Sequence, residues 1–459
     1  MLHTLAAILL NLSLLTADAD IAKGMVSVEV RNMTRNREIE AYQPAKPATP
    51  ASLTKLLTTG AALNVLGPDF RFETTLAYTG LIVDSTLWGD LIIIGDVDPT
   101  LGNLKNNESF LDEWIAQLHE LGIYHIQGSI VADMSKLSDE GYNPNWLDED
   151  VGNYYAPGIF GINYLSNTLR IYLRSFAEGE PAIVLFTEPQ NVPVEIECNV
   201  RGSKVKRDYS YVYGKPLVYA RSMRGEIPEN RDSFCVKGDL PNPGLQLAQD
   251  LDSAIVAAGG RVNGQAGYTF APAAEPEEMT AICVHLSPAL RDIIRDTNFE
   301  SNNLYAEAIA RYLGATVHRQ STSRQAAEYV FQYWKEQNMP MAHCALYDGC
   351  GLAPNNKLTA RMIVRLLEKM YYGKYRKDWY GSLPVSGESG TLKHFLAGTS
   401  LAGRVHAKSG TLTGAKSYAG YIRRPNGDIW TFAIIISDTQ VPNHKLQTVI
   451  EQYLLSLCS

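Results

Sequence analysis

At 459 residues the chain exceeds one ordinary hydrophobic core, so roughly two or three domains are expected. Hydrophobic residues at 45% and charged residues at 20% exclude a disordered chain. A formal net charge of −8 argues against a nucleic-acid partner, which would need a basic face.

In chain order, the first element is an apolar run from Leu5 to Leu15, broken only by Asn11 and Ser13. Ala17-Asp18-Ala19 follows it as an A-x-A cleavage site. Residues 1–19 therefore read as an export signal, and the mature protein is expected to be exported, in the periplasm or elsewhere outside the cytoplasm, and soluble or loosely wall-associated. No later stretch reaches the roughly 18 apolar residues of a spanning helix. Val26, Val28 and Val30 alternate with polar residues, and the Asn32–Arg37 turn leads into Glu38–Tyr42, which makes a hairpin. Ser417–Arg423 and Ile429–Ser437 flank Pro425-Asn426-Gly427-Asp428, a second hairpin near the other end. Helix patterns cover Ser52–Leu66, Phe299–Leu313, Ser323–Gln337, Thr359–Tyr371 and His444–Leu457. An antiparallel sheet drawn from both termini and flanked by these helices is the expected α/β (α+β) catalytic domain, in two parts, 20–73 and 286–459.

The middle of the chain is β-rich. Leu91–Ile94, Gly128–Asp133, Leu169–Leu173 and Ala182–Phe186 read as strands, with helix patterns only at Phe110–Leu121 and Gly244–Ala258. This predicts an insertion of two modules, one formed by 74–150 and 241–285 and the other by 151–240. The six cysteines permit Cys198 with Cys235 or Cys344 with Cys350, and spacing does not choose between pairing and free thiols. Neither cysteines nor histidines show ligand spacing, so no metal site is expected.

Three short motifs carry chemistry. Ser52-Leu53-Thr54-Lys55 opens a helix pattern, and residues three apart share a helix face, so Lys55 stands over the Ser52 hydroxyl. A serine alcohol needs a base, and lysine serves only when burial or a second cation lowers its pKa. Lys408 of Lys408-Ser409-Gly410, at the end of a strand predicted over Gly403–Lys408, is the candidate second cation. Ser301-Asn302-Asn303 precedes a helix, where a hydroxyl and an amide can relay a proton and hold a substrate amide. Alone, Ser52 reads equally as a helix cap, and Ser301 and Asn303 read more readily as a cap than as site residues. A second S-x-x-K, Ser203–Lys206, lies in a basic stretch without helical periodicity and reads as a solvated hairpin.

In this order the motifs resemble those of the penicillin-binding proteins and serine β-lactamases. The nearest branch is the low-molecular-mass D-alanyl-D-alanine carboxypeptidases/endopeptidases of peptidase family S13, the penicillin-binding protein 4 (DacB) type, which carry a large insertion between the first two motifs. Asp348-Gly349-Cys350-Gly351-Leu352, Leu383–Leu392 and Arg404–Gly414 resemble further family segments. The resemblance implies a β-lactamase/transpeptidase-like fold and no cofactor. Its substrate would be a peptidoglycan stem peptide ending in D-Ala-D-Ala, and β-lactam antibiotics would acylate the same serine. It assigns Ser52 as nucleophile, Lys55 as base, Ser301 as proton relay, Asn303 as holder of the substrate amide and Lys408 as the charge that lowers its neighbours' pKa. Ser409, Gly410 and Thr411 would bind substrate: the Ser409 hydroxyl would bond the terminal carboxylate, and the N–H groups of Ser52 and Thr411 would form the oxyanion hole. Asp133 would meet a free amine from the insertion.

The chain departs from the family pattern at Ser409 (usually threonine), Cys350 (usually serine) and Pro354, where many relatives carry an arginine. A β-lactamase and a non-catalytic wall-binding scaffold are the competing readings. The first lacks an evident deacylating carboxylate, and the second has no use for all five reactive residues.

Overall fold

In the computed structural model, which describes residues 12–16, 18–103 and 110–458, the two terminal hairpins join in one antiparallel sheet. Its strands are β1 (Met25–Asn32), β2 (Arg37–Tyr42), β3 (Val405–Leu412), β4 (Ala415–Arg423) and β5 (Ile429–Ser437), in the order β3-β4-β5-β1-β2. The seam between the chain's ends is the β1–β5 pairing, which sets Val28 opposite Ile434. The β3 strand runs further than its expected end at Lys408 and carries Lys408-Ser409-Gly410 inside it, at the sheet edge.

Alternation divides the sheet's faces. Val26, Val28, Val30, Ile434, Ile436 and Tyr418 are buried with Leu446, Ile450 and Tyr453 of the C-terminal helix Asn443–Cys458. The opposite phase of β1 is polar and meets the helix Ala360–Tyr372: the Ser27 hydroxyl accepts from the Ala360 N–H, and Arg31 pairs with Glu368 at 3.0 Å. Burial raises the Glu29 carboxyl's pKa despite its pairing with Arg361.

The helix Thr54–Val65 is buried along nearly its whole length, from Thr54 to Leu63, as befits a helix inside a core rather than on its surface. The Trp334 indole N–H donates to the Leu57 carbonyl, and Gly60 gives the same ring room. The pattern expected over Phe299–Leu313 is the helix Asn303–Ala315, and a further helix, Leu290–Phe299, precedes it, the two separated where Ser301 adopts φ 59°. A single left-handed residue leaves no trace in hydrophobic periodicity.

These elements belong to one compact unit, residues 1–70, 289–314 and 324–459. Most of the expected export signal (residues 1–11 and Ala17) lies outside the described residues, while Leu15 is buried in the sheet's apolar core. A second unit comprises residues 71–288 and 315–323. Inside it, one core gathers Leu76, Ile93, Ile130, Leu247 and Leu251 around a five-stranded sheet and the helices Phe110–Glu120 and Pro243–Ala257. A separate core gathers Leu169, Ile171, Val200, Val212 and Met223 between two three-stranded sheets. Ser203 ends a strand there, and the exposed Lys204 pairs with Glu178. The strands on either side of this turn pair with a common neighbour, Ala220–Pro228, rather than with each other, so Ser203–Lys206 is not the hairpin expected. All six cysteines are free, so neither conceivable pairing forms. Among the described residues no helix is long and apolar enough to cross a membrane.

Candidate active site

Ser52 lies in a 3-10 turn, Ala51–Leu53, which feeds directly into the helix carrying Lys55. Its side chain caps nothing. The Lys55 ammonium donates to the Ser52 Oγ at 2.9 Å, to the Asn303 Oδ1 at 2.6 Å and to the Cys350 carbonyl at 2.7 Å. Ala51, immediately before Ser52, holds φ 49°, a conformation rare for a residue with a Cβ and costly unless its surroundings enforce it.

The second motif divides its labour. Asn302 is the helix cap, its Oδ1 accepting from the Tyr305 N–H at 3.1 Å. Ser301 and Asn303 are thereby left to the site. The Ser301 Oγ accepts from the Lys408 Nζ at 2.8 Å, and the Asn303 oxygen meets Lys55. Lys408 also donates to the Ser409 carbonyl at 2.8 Å. Ser52, Lys55, Ser301, Asn303 and Lys408 thus form two lysine-centred clusters, Lys55 bonding Ser52 and Asn303 and Lys408 bonding Ser301.

Both lysines are fully buried. Burial lowers the Lys55 pKa, opposed by Cys350, Asp348 and Glu307. Lys408 is pushed well below the ordinary lysine value, first by burial and then by repulsion from Lys55 and Lys416. Burial is the first cause of the lowering for both lysines, and the repulsion between the two cations adds to it.

Behind Lys55 lies a support that sequence reasoning missed. The Glu307 Oε1 accepts from the N–H groups of Gly349 and Cys350, both at 2.7 Å, and so aims the Cys350 carbonyl at Lys55. Asp348 accepts from the N–H groups of Gly351 and Ala353 and from the Asn356 amide. Glu307, Asp348 and Cys350 bring ligand-type atoms within 4.8 Å of one another, yet these amide bonds suit a backbone clamp rather than a metal site. Burial raises the Glu307 carboxyl to about 7 and the Cys350 thiol well above its usual value.

On the edge strand, Gly410 is required by contact: a Cβ there would lie 2.6 Å from the Pro50 carbonyl oxygen and 2.3 Å from the Ser417 Oγ. The strand can therefore press against the turn that bears Ser52. The Ser409 hydroxyl donates to the Thr391 Oγ1 at 3.0 Å, and the Thr411 Oγ1 accepts from Lys416 at 2.8 Å. The sequence reading gave Thr391 no role beyond its place in the Leu383–Leu392 segment and did not include Lys416, because only tertiary pairing brings them to this strand. Pro354 offers its carbonyl to Thr49. Asp133 lies in the second unit, buried, its two carboxylate oxygens accepting from the N–H groups of Ser135 and Ala273. His406, half-buried on β3, packs its ring 4.3 Å from that of Tyr380, and burial lowers its pKa.

The chain is 26% identical to a D-alanyl-D-alanine carboxypeptidase from an Actinomadura species, over 90% of this chain and 78% of that one. It is 24% identical to the D-alanyl-D-alanine carboxypeptidase DacB of Haemophilus influenzae, over 89% of this chain and 84% of the relative. The crystal structure of penicillin binding protein 4 (dacB) from Haemophilus influenzae superposes with a TM-score of 0.82 at 22% identity, covering 95% of this chain and 98% of that one, and so shares the fold. The family model described as the D-Ala-D-Ala carboxypeptidase 3 (S13) family matches residues 8–454, nearly the full length, and the chain belongs to that family.

Proposed function

We propose that this enzyme is a serine DD-peptidase that works through an acyl-enzyme on Ser52 and acts on peptidoglycan stem peptides ending in D-Ala-D-Ala. The observation that carries the reading is the 2.9 Å contact between the Ser52 Oγ and the buried Lys55 Nζ, which Asn303 and the Cys350 carbonyl hold in place. Burial favours the neutral amine, which accepts the Ser52 proton as Oγ attacks the carbonyl carbon of the penultimate D-alanine. The N–H groups of Ser52 and Thr411 receive the developing oxyanion. As the C–N bond breaks, the leaving amine takes a proton through Ser301, which bonds Lys408. Water then cleaves the Ser52 ester and returns the site to its starting state.

Carboxypeptidase and endopeptidase action differ only in which amine departs, and one acyl-enzyme serves both. A β-lactam, being a strained cyclic amide, would acylate the same Oγ. The substrate lies outside the cytoplasm, which accords with the apolar run Leu5–Leu15 and Ala17-Asp18-Ala19.

The test is intact-mass spectrometry with penicillin, together with assay of D-alanine release from a D-Ala-D-Ala peptide. One penicilloyl adduct and released D-alanine, both lost in Ser52→Ala, are expected. Rapid penicillin hydrolysis without a lasting adduct would favour a β-lactamase, and inertness toward both would favour a scaffold.

A further inference from the structure

The carboxylate end of the proposed substrate needs a cation, and the strand's own lysine is badly placed to supply it. Alternation along β3 puts the Lys408 and Gly410 side chains on one face and those of Ser409 and Thr411 on the other. The Lys408 ammonium is committed to Ser301 and the Ser409 carbonyl, and its surroundings disfavour the charged form.

The neighbouring strand β4 fills the gap. Its Lys416 pairs directly with Thr411 and its Tyr418 with Ser409, so these four side chains share a face. The Lys416 Nζ donates to the Thr411 Oγ1 at 2.8 Å and lies 5.3 Å from the centre of the Tyr418 ring. Tyr418 is in turn fixed by stacking on Phe395, their centroids 4.0 Å apart. Ser409 and Thr411 are roughly 7 Å apart along the strand, a spacing that lets one carboxylate accept from both hydroxyls.

We propose that Lys416 is a specificity-determining residue: with the hydroxyls of Ser409 and Thr411 it receives the substrate's C-terminal carboxylate and sets the enzyme's preference for a free acid over a capped C-terminus. This rests on the DD-peptidase reading above. Burial lowers the Lys416 pKa, partly offset by Glu451, so an incoming carboxylate restores the charged form. Glu451 itself accepts from Gln447 and from the Leu396 N–H, which ties it to its own helix and the adjoining turn.

The experiment compares kcat/KM for a peptide ending in D-Ala-D-Ala with that for its C-terminal amide, in wild type, Lys416→Met and Lys416→Arg. Methionine keeps the length and the packing on Tyr418, and arginine keeps the charge. The wild type should prefer the acid, Lys416→Met should lose at least about tenfold of that preference, and Lys416→Arg should keep most of it. Equal losses on both peptides, or an unchanged preference in Lys416→Met, would overturn the proposal. If the wild type cleaves neither peptide, the substrate reading fails instead. Acylation by penicillin against its methyl ester then reads Lys416 by the same ratio and the same criteria.

Discussion

Gly351 lies so close to Ala51 that a Cβ on it would stand 2.0 Å from the Ala51 carbonyl oxygen. Gly351 itself holds φ 88° and Ala51 φ 49°, so two left-handed residues meet directly beside the nucleophile. The Asp348 carboxylate accepts from the Gly351 N–H at 2.8 Å and fixes one side of this contact. The strained turn that presents Ser52 is thus braced by a segment 300 positions further along the sequence.

Gly351→Ala should therefore cost about 2 kcal/mol or more, from strained backbone and from the clash. Urea denaturation would measure the loss. Penicillin acylation of the remaining folded protein should slow as well, because the displaced atom is the carbonyl next to Ser52.

Asn302 and Asn303 should separate cleanly. Asn302→Ala removes a helix cap and should lower stability by about 1 kcal/mol while folded protein still acylates. Asn303→Ala removes the Lys55 partner and should slow acylation with a smaller thermal effect. Melting temperatures and acylation rates on both variants would show the split, and matching losses in both properties would contradict it.

Lys55→Arg keeps the charge but supplies no neutral amine at working pH, so acylation should fall by about 10²–10⁴-fold. Stopped-flow acylation with a chromogenic β-lactam measures this.

The pH dependence follows from burial. Acylation needs neutral Lys55, so the rate should rise with pH through a midpoint below the ordinary lysine value of 10.5. Glu307 opposes the lowering, so Glu307→Gln, which still offers an oxygen to the Gly349 and Cys350 N–H groups, should move that midpoint to lower pH. The same variant has a stability signature. The Glu307 carboxyl is raised from 4.5 to about 7, so the folded state binds its proton more tightly than the unfolded chain, and its contribution to stability falls as pH rises across that window. In Glu307→Gln this fall should be absent from the pH–stability curve.

Ser409→Thr should keep activity, since the hydroxyl that donates to Thr391 survives, whereas Ser409→Ala should lose about tenfold in kcat/KM on a free-acid peptide. Thr391→Val should produce a smaller loss of the same kind, by freeing the Ser409 rotor. Steady-state kinetics on the three variants would check the order.

The reactive residues were legible because their signals are local. The three-residue step from Ser52 to Lys55 is helix geometry, and the hairpins at Val26–Tyr42 and Ser417–Ser437 announce themselves by alternation and by Asn426-Gly427. Contacts across the fold were not legible. Nothing local to Glu307 says that it holds the peptide behind Lys55, and Thr391 meets Ser409 only through tertiary packing. The helix Leu290–Phe299 was readable from Leu290, Ile293, Ile294 and Thr297, all buried on one face, but was overlooked beside the stronger pattern that follows it.

The seam between β1 and β5 also dictates when the enzyme can exist. Met25 pairs with Ser437, so the central sheet joins strands far apart in the sequence and cannot close until β5 has been synthesised. Residues 71–288 and 315–323, by contrast, are all available well before β5 emerges. Such a high contact order slows folding and leaves the N-terminal hairpin and the Ser52 helix without their partners until β3 and β5 emerge. A nascent chain would carry the nucleophile but not the edge strand that faces it, and so should be catalytically silent until Val405–Leu412 and Ile429–Ser437 have been made.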